Sequence, residues 1–357
     1  MTAIIETTIG NNKPGGGKKA YIEVLRSLAT IAVVFLHIVM TLVANYTAEE
    51  IGVYNYAIFN DCYMLVKWAV PCFIMITGSL LLNPAKEVSE DKIKKYILRM
   101  ALVLATFGVA YALMELVFTE KTFNVIFVLR AFINTLEGKS WSHMWYVYLL
   151  IGLYLITIPL RKIVANCNQN ELERMLALLV IGNFVIPSIN GVFGSKFETY
   201  MLVSEYITYY LAGYYISITN RRISSLKVLI ALVVSASTLV VSETASLFVT
   251  HESFALNHQT QNVFTFVMAT SVFTIVKQLC ESKGVVLQSG TKAICKYSFA
   301  IYLVHPFFIN LIYKVIGFTP LSIPIFLGIA ILDICVFSLS FLTAIILKKI
   351  PVIKKIV

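Results

Sequence analysis

Of 357 residues, 58% are hydrophobic and only 13% charged, with a mean hydropathy of +0.81 and a formal net charge of +10. Soluble domains are roughly 45–50% apolar and carry about twice this share of charge, so an ordinary soluble enzyme is excluded and lipid must take the excess. The basic residues sit beside apolar runs rather than on one basic domain, which argues against nucleic-acid binding and for attraction to an anionic bilayer surface.

Taken in chain order, residues 1–20 read as a flexible cytoplasmic segment around Lys13-Pro14-Gly15-Gly16-Gly17-Lys18-Lys19, with no cleavable signal peptide. Residues 21–350 read as one transmembrane domain and 351–357 as a cytoplasmic tail. A crossing needs about 20 mostly apolar residues. Spans are predicted near 22–43, 55–82, 93–118, 143–160, 172–189, 200–218, 226–246, 262–280, 294–316 and 322–347. The fold class expected is therefore all-α, a polytopic bundle of about ten transmembrane helices, with a kink at Pro71. With the N-terminus in the cytosol, one set of segments holds about 23 of the 29 Lys and Arg residues. That bias puts both termini on the cytoplasmic side of a cell (plasma or inner) membrane, and leaves 119–142 and 247–261 as the longest outer stretches. The six cysteines show no C-x-x-C spacing and read as small buried hydrophobes; no metal site is expected.

Ionisable residues inside spans are costly, so each is a candidate for function. In the first span Arg26 and His37 are eleven residues apart, or 1,100° at 100° per residue, which is about 20° from three full turns. They share one face, roughly 16 Å apart along the axis. Glu23, three residues before Arg26, is placed to pair with it. The stripe either faces the bundle interior as a site, or Arg26 snorkels to lipid phosphates and His37 bonds a neighbouring helix. Further along, His305 lies mid-span before Pro306, with Tyr302 one turn earlier, and reads either as a packing histidine or as a functional one. His143 opens the fourth span in Trp141-Ser142-His143-Met144-Trp145-Tyr146. Tryptophans there are either belt residues or stacking surfaces for sugar rings. Glu115, Glu205 and Asp333 fall within spans and Arg130 in the outer loop. The basic run Lys92-Ile93-Lys94-Lys95-Tyr96-Ile97-Leu98-Arg99 suits phosphate groups or simply follows the positive-inside rule.

The Arg26-x10-His37 pairing after Leu25-Arg26-Ser27-Leu28-Ala29 resembles the signature of the acyltransferase-3 family of integral membrane acyltransferases. Three more stretches resemble it in the same order: Val70-Pro71-Cys72-Phe73-Ile74-Met75-Ile76-Thr77-Gly78-Ser79-Leu80-Leu81, His143-Met144-Trp145-Tyr146 leading to Leu149-Leu150-Ile151-Gly152-Leu153-Tyr154-Leu155, and Tyr302-Leu303-Val304-His305-Pro306. The resemblance covers the chain after residue 20. It implies transfer of an acyl group, often acetyl, from cytosolic acyl-CoA as co-substrate to hydroxyls of extracytoplasmic glycans or other envelope molecules. It implies His37 as the essential catalytic histidine, Arg26 as its partner with Glu23 beside it, and Lys95 and Arg99 as donor-holding residues. The chain departs from the family at Glu23, where aspartate is frequent, and at Tyr96, where the first of two arginines three apart is missing. It also carries no SGNH-type domain.

The mechanism expected brings acyl-CoA phosphates to Arg26, Lys95 and Arg99 and the thioester toward His37. His37 serves as general base or as a covalent acyl carrier, and Trp141, His143, Trp145 and Arg130 lie on the acceptor side. The alternative is a transporter or flippase of a lipid-linked saccharide, which explains the helices and outer aromatics equally well. It does not require a histidine three turns from an arginine, and no inverted repeat is visible.

Overall fold

A computed structural model describes residues 16–198, 203–221, 223–283 and 288–357, and among these every regular element is a helix. The helices are α1 (Gly16–Asn45), α2 (Val53–Val66), α3 (Ala69–Leu81), α4 (Glu90–Glu120), α5 (Ile126–Leu136) and α6 (Ser142–Asn166). They continue as α7 (Gln169–Phe193), α8 (Glu205–Ile218), α9 (Ser225–Thr250), α10 (Val263–Lys283), α11 (Ser289–Ile316) and α12 (Ile325–Leu347). Among the described residues nine crossings are long and apolar enough for a bilayer, with α2 and α3 forming one of them. The expected tenth, 200–218, appears as the 14-residue α8, its first part (200–202) lying outside the described residues.

The kink expected at Pro71 falls ahead of it, between α2 and α3 at Lys67 and Trp68. Pro71 has no N–H to give the Lys67 carbonyl, so the ladder fails one turn upstream. In the first turn of α3 the missing donor is harmless, and the ladder resumes with Cys72 N–H bonded to the Trp68 carbonyl at 3.0 Å.

Two compact units divide the chain: Pro84–Asn166 with Leu342–Val357, and residues 16–83 with 167–341. The second unit is built on α1, which packs against α2, α3, α10 and α11. Leu25, Ala29, Ile38, Val39 and Leu42 of α1 are fully buried, so polar groups on this helix face protein on most sides. In the same unit α3 meets α8 backbone to backbone through Gly78 and Gly213, since only glycine lets two chains approach so closely.

In the first unit α4 packs along α6 with its first half and along α5 with its second. A π-helical turn at Leu104–Gly108 interrupts α4. The stretch 119–142, expected on the outer side, is helical over much of its length. Its α5 buries Phe127, Ala131 and Thr135 and turns Leu129, Phe132 and Leu136 outward, an apolar face suited to lipid. The tail at 351–357 is likewise packed: Ile356 and Val357 are buried, and Arg99 Nε donates to the Ile356 carbonyl at 3.0 Å.

Candidate functional site

Arg26 is fully buried, first in size among the fully buried side chains of the described residues. None of its three guanidinium nitrogens has a hydrogen-bonding partner among the described residues. The pairing expected with Glu23 is therefore not formed. Three residues along a helix leaves the two side chains about 60° apart around the axis, and Glu23 sits on the half-exposed side while Arg26 points inward. Nearby, Ser27 Oγ lies 2.9 Å from both the Glu23 and the Thr291 carbonyl oxygens, tying α1 to the start of α11. An ionised group removed from water without a partner costs several kcal/mol. A guanidinium held in that condition is prepared for an anion.

His37, eleven residues on, is half-buried on the same uninterrupted helix. Its Nδ1 lies 2.8 Å from the Val33 carbonyl oxygen. That oxygen can only accept, so Nδ1 carries the ring proton and Nε2 holds the lone pair of the neutral imidazole. The partner that sequence spacing could not supply is His305. It is fully buried, and the two ring centroids are 4.8 Å apart at 63°. His305 Nδ1 lies 3.1 Å from the Ile301 carbonyl oxygen, which fixes the same tautomer. Tyr302 stands 6.1 Å from the His305 ring and stacks on Phe299. At the far end of this contact Tyr313 donates to the Ile38 carbonyl at 3.1 Å. Two imidazoles 268 residues apart in the chain thus meet between α1 and α11.

The first unit holds Lys95 and Arg99, and they differ. Lys95 is exposed; Arg99 is buried and spends its Nε on the tail. Toward the other end of α4, Trp141 stacks on Tyr111 with centroids 4.4 Å apart and an interplanar angle of 21°. The Trp141 indole N–H donates to Glu115 Oε2 at 3.0 Å. His143 is buried with its ring edge-on to Tyr111 at 5.1 Å. Trp145 faces outward, edge-on to Tyr146 at 6.1 Å, and Arg130 is exposed, 5.6 Å over the Phe127 ring. Of the four residues expected on the acceptor side, the structure gathers Trp141 and His143 and adds Glu115.

Glu205 has a structural task. Its carboxylate accepts from Thr260 at 2.9 Å and from Ser204 at 3.2 Å, fastening the start of α8 to the segment before α10. Asp333 lies on α12 with Oδ1 buried and without a hydrogen-bonding partner among the described residues. A polar network that sequence reading passed over lies in the second unit. Glu243 on α9, fully buried, accepts from Phe254 N–H at 3.2 Å, Asn257 Nδ2 at 3.2 Å and His258 Nε2 at 3.1 Å. Lys67, at the break between α2 and α3, donates to the Asn257 carbonyl, and Asp61 accepts from Thr244 at 2.9 Å. The signal was present, since Glu243 and Lys67 are ionisable residues within predicted spans. Leaving buried polar groups of such a network unsatisfied costs about 1–3 kcal/mol each. Glu243→Gln, which places an amide donor against three donors, is expected to lower the thermal midpoint strongly in detergent. An unchanged midpoint would remove the network from the stability argument.

The acyltransferase-domain family model (Acyl_transf_3) matches residues 19–348. The chain is also similar, at 21% identity over 336 residues, to the "Probable poly-beta-1,6-N-acetyl-D-glucosamine export protein" of Staphylococcus aureus strain Mu50, covering 89% of this chain and 90% of that protein. The same identity and coverage hold for its counterpart in strain MSSA476. No solved structure matches. A match that runs from the start of α1 to the end of α12, and so takes in both histidines and the buried arginine, places this multi-pass membrane chain in the acyltransferase-3 family.

Proposed function

We propose that the protein transfers an acyl group, acetyl in the first instance, from cytosolic acyl-CoA to a hydroxyl of an extracytoplasmic glycan or other envelope molecule. One helix carries the reading. α1 holds the Arg26 guanidinium, without a hydrogen-bonding partner among the described residues, and, about 16 Å along its axis, the His37 imidazole with Nε2 available for proton transfer. A donor phosphate is the anion that a guanidinium suits, through charge-assisted, bidentate hydrogen bonds. The pantetheine arm then reaches along the helix toward His37.

In the direct route His37 Nε2 takes the proton of the acceptor hydroxyl while its oxygen attacks the thioester carbonyl. The C–S bond breaks, and the departing thiolate recovers the proton from the imidazolium. In the covalent route Nε2 itself attacks and the thiolate leaves; the acceptor hydroxyl then attacks the acyl-imidazolium, the neutral imidazole departs, and the hydroxyl proton goes to the thiolate. Both use the tautomer set by the Val33 carbonyl. The family resemblance adds Lys95 and Arg99 on the donor side, and Trp141, His143, Trp145 and Arg130 on the acceptor side.

The printed name of the relatives suggests a β-1,6-linked N-acetylglucosamine polymer as the first acceptor to try. The same name, with its word "export", favours the second reading, a saccharide carrier. The deciding experiment measures binding of acetyl-CoA and release of free CoA by purified protein in lipid, with soluble oligomers of that sugar present. Wild type is expected to bind and consume the donor. Arg26→Met should lose donor binding and yet melt at the same or a higher temperature, because an apolar residue of similar length replaces a buried unpaired charge. Failure of wild type either to bind or to consume acetyl-CoA would replace this reading with the carrier.

A further inference from the structure

The cluster at the Glu115 end of α4 is built in a way that a belt of lipid-facing aromatics does not require. A belt tryptophan keeps its ring at the interface and its N–H toward water or headgroups. Trp141 instead has one ring face covered by Tyr111, its edge toward His143 at 6.4 Å, and its N–H bonded to Glu115. It nevertheless remains partly exposed.

The residues just before it are tied down as firmly. Ser140 Oγ donates to the Gly108 carbonyl at 2.8 Å, at the end of the π-helical turn, and Tyr148 donates to the Thr135 carbonyl. Lys139 N–H closes on the Asn134 carbonyl at 2.7 Å. Ser140 thus anchors this segment where the π-helical turn of α4 ends, and such turns gather at functional sites. The outcome is an aromatic ring fixed in place, with a carboxylate at its edge. Glu115 is itself outward-facing and has Oε1 beyond the indole bond.

We infer that Trp141 and Glu115 form a saccharide subsite that takes one neutral pyranose ring. The sugar's apolar C–H face lies on the exposed part of the indole, and its ring hydroxyls donate to the Glu115 carboxylate. Tyr111 backs the indole from behind and His143 fixes its edge. The chemistry selects among sugars. A carboxylate accepts hydroxyl protons and repels a uronate or other acidic ring. A rigid platform also spares the ordering cost that a free tryptophan would incur on binding.

This inference rests on the acceptor being a glycan and specifies which ring type is held. It can be tested without turnover, because the chain has three tryptophans and the platform is one of them. The probe is cellotetraose, a neutral oligosaccharide, with tetragalacturonate as its acidic counterpart. Binding to the full chain in lipid is followed by intrinsic fluorescence and by calorimetry. Wild type is expected to bind the neutral oligomer in preference to the acidic one. Trp141→Leu should weaken neutral binding about tenfold, the scale of one aromatic contact. Glu115→Gln, a change at an outward-facing position, should narrow the preference for neutral over acidic oligomer. Phe193→Leu, at an exposed aromatic on α7, should leave the binding constant where it was.

Equal binding by wild type, Trp141→Leu and Glu115→Gln would overturn the subsite, as would no saccharide binding by wild type. Failure of the wider reading looks different. In that case saccharide binding keeps this dependence on Trp141 and Glu115 while acetyl-CoA is neither bound nor consumed.

Discussion

His37→Ala is expected to leave a folded protein whose acyl transfer falls by about 10²–10⁴-fold, the usual contribution of a positioned acid–base group. The loss should be in turnover rather than in donor binding, because Arg26, roughly 16 Å away along α1, is untouched. Stability should change little. Among the described residues the polar tie of the imidazole to the main chain is to Val33 on its own helix, and that carbonyl keeps its ladder partner. Release of CoA from acetyl-CoA with and without saccharide, read alongside a melting curve, checks both halves. Exchange of labelled CoA into acetyl-CoA without saccharide adds the mechanistic split: exchange by wild type that is lost in His37→Ala points to the acyl-imidazole, and no exchange by either points to direct transfer. A His37→Ala protein that turns over at half the wild-type rate would move the chemistry elsewhere in the bundle.

His305 sharpens this expectation. The two ring centroids are 4.8 Å apart, so His305 positions the His37 imidazole from the side. His305→Phe keeps an aromatic ring against His37 and should lower turnover without abolishing it, whereas His305→Ala, which removes the ring, should lower it further.

Much of this arrangement was legible in the chain, and the reasons differ from residue to residue. Ten apolar runs are visible because bilayer thickness imposes their length, and nine of them appear as crossings among the described residues. The Arg26–His37 register is visible because both lie on one unbroken helix, where angle and rise are fixed. Glu23 misled for the opposite reason: i,i+3 spacing permits a pair, but burial decides whether the side chains turn toward each other, and Arg26 turned inward. His305 meeting His37 could not be read at all, since it depends on which helix packs against α1. The same holds for Glu115, whose bond to Trp141 spans a turn and the helix α5. For Arg99 the resemblance implies a donor-side role, and its bond to Ile356 could not be read because it depends on where the tail folds. Local periodicity thus gives the helices and the residues that share a face; contacts between helices have to be seen.

Gly213→Ala should be among the most damaging single changes in the chain, although it adds one methyl group and favours helix by propensity. A Cβ on Gly213 would fall onto the carbonyl and Cα of Met75, and one on Gly78 would fall onto the Tyr210 carbonyl. Both obstacles are backbone, so no rotamer change relieves them, and α3 would have to move away from α8. α3 is buried along almost its whole length after Pro71, so displacing it opens the core of the unit containing α1. Overpacking within side chains costs about 1–3 kcal/mol, and a backbone clash at a helix crossing belongs in the rarer range above about 4 kcal/mol. The expected result is little folded protein after extraction and a sharply lowered melting point in whatever survives. Gly78→Ala should behave likewise. Gly152→Ala and Gly290→Ala supply the contrast, since a Cβ at either meets nothing within 4 Å. There alanine should be neutral or stabilising by up to about 1 kcal/mol, the difference in helix propensity. If all four variants melt alike, the close approach of α3 and α8 is not what holds this unit together. If only Gly78 and Gly213 fail, the contact between two bare backbones sets the frame on which Arg26 and His37 are held.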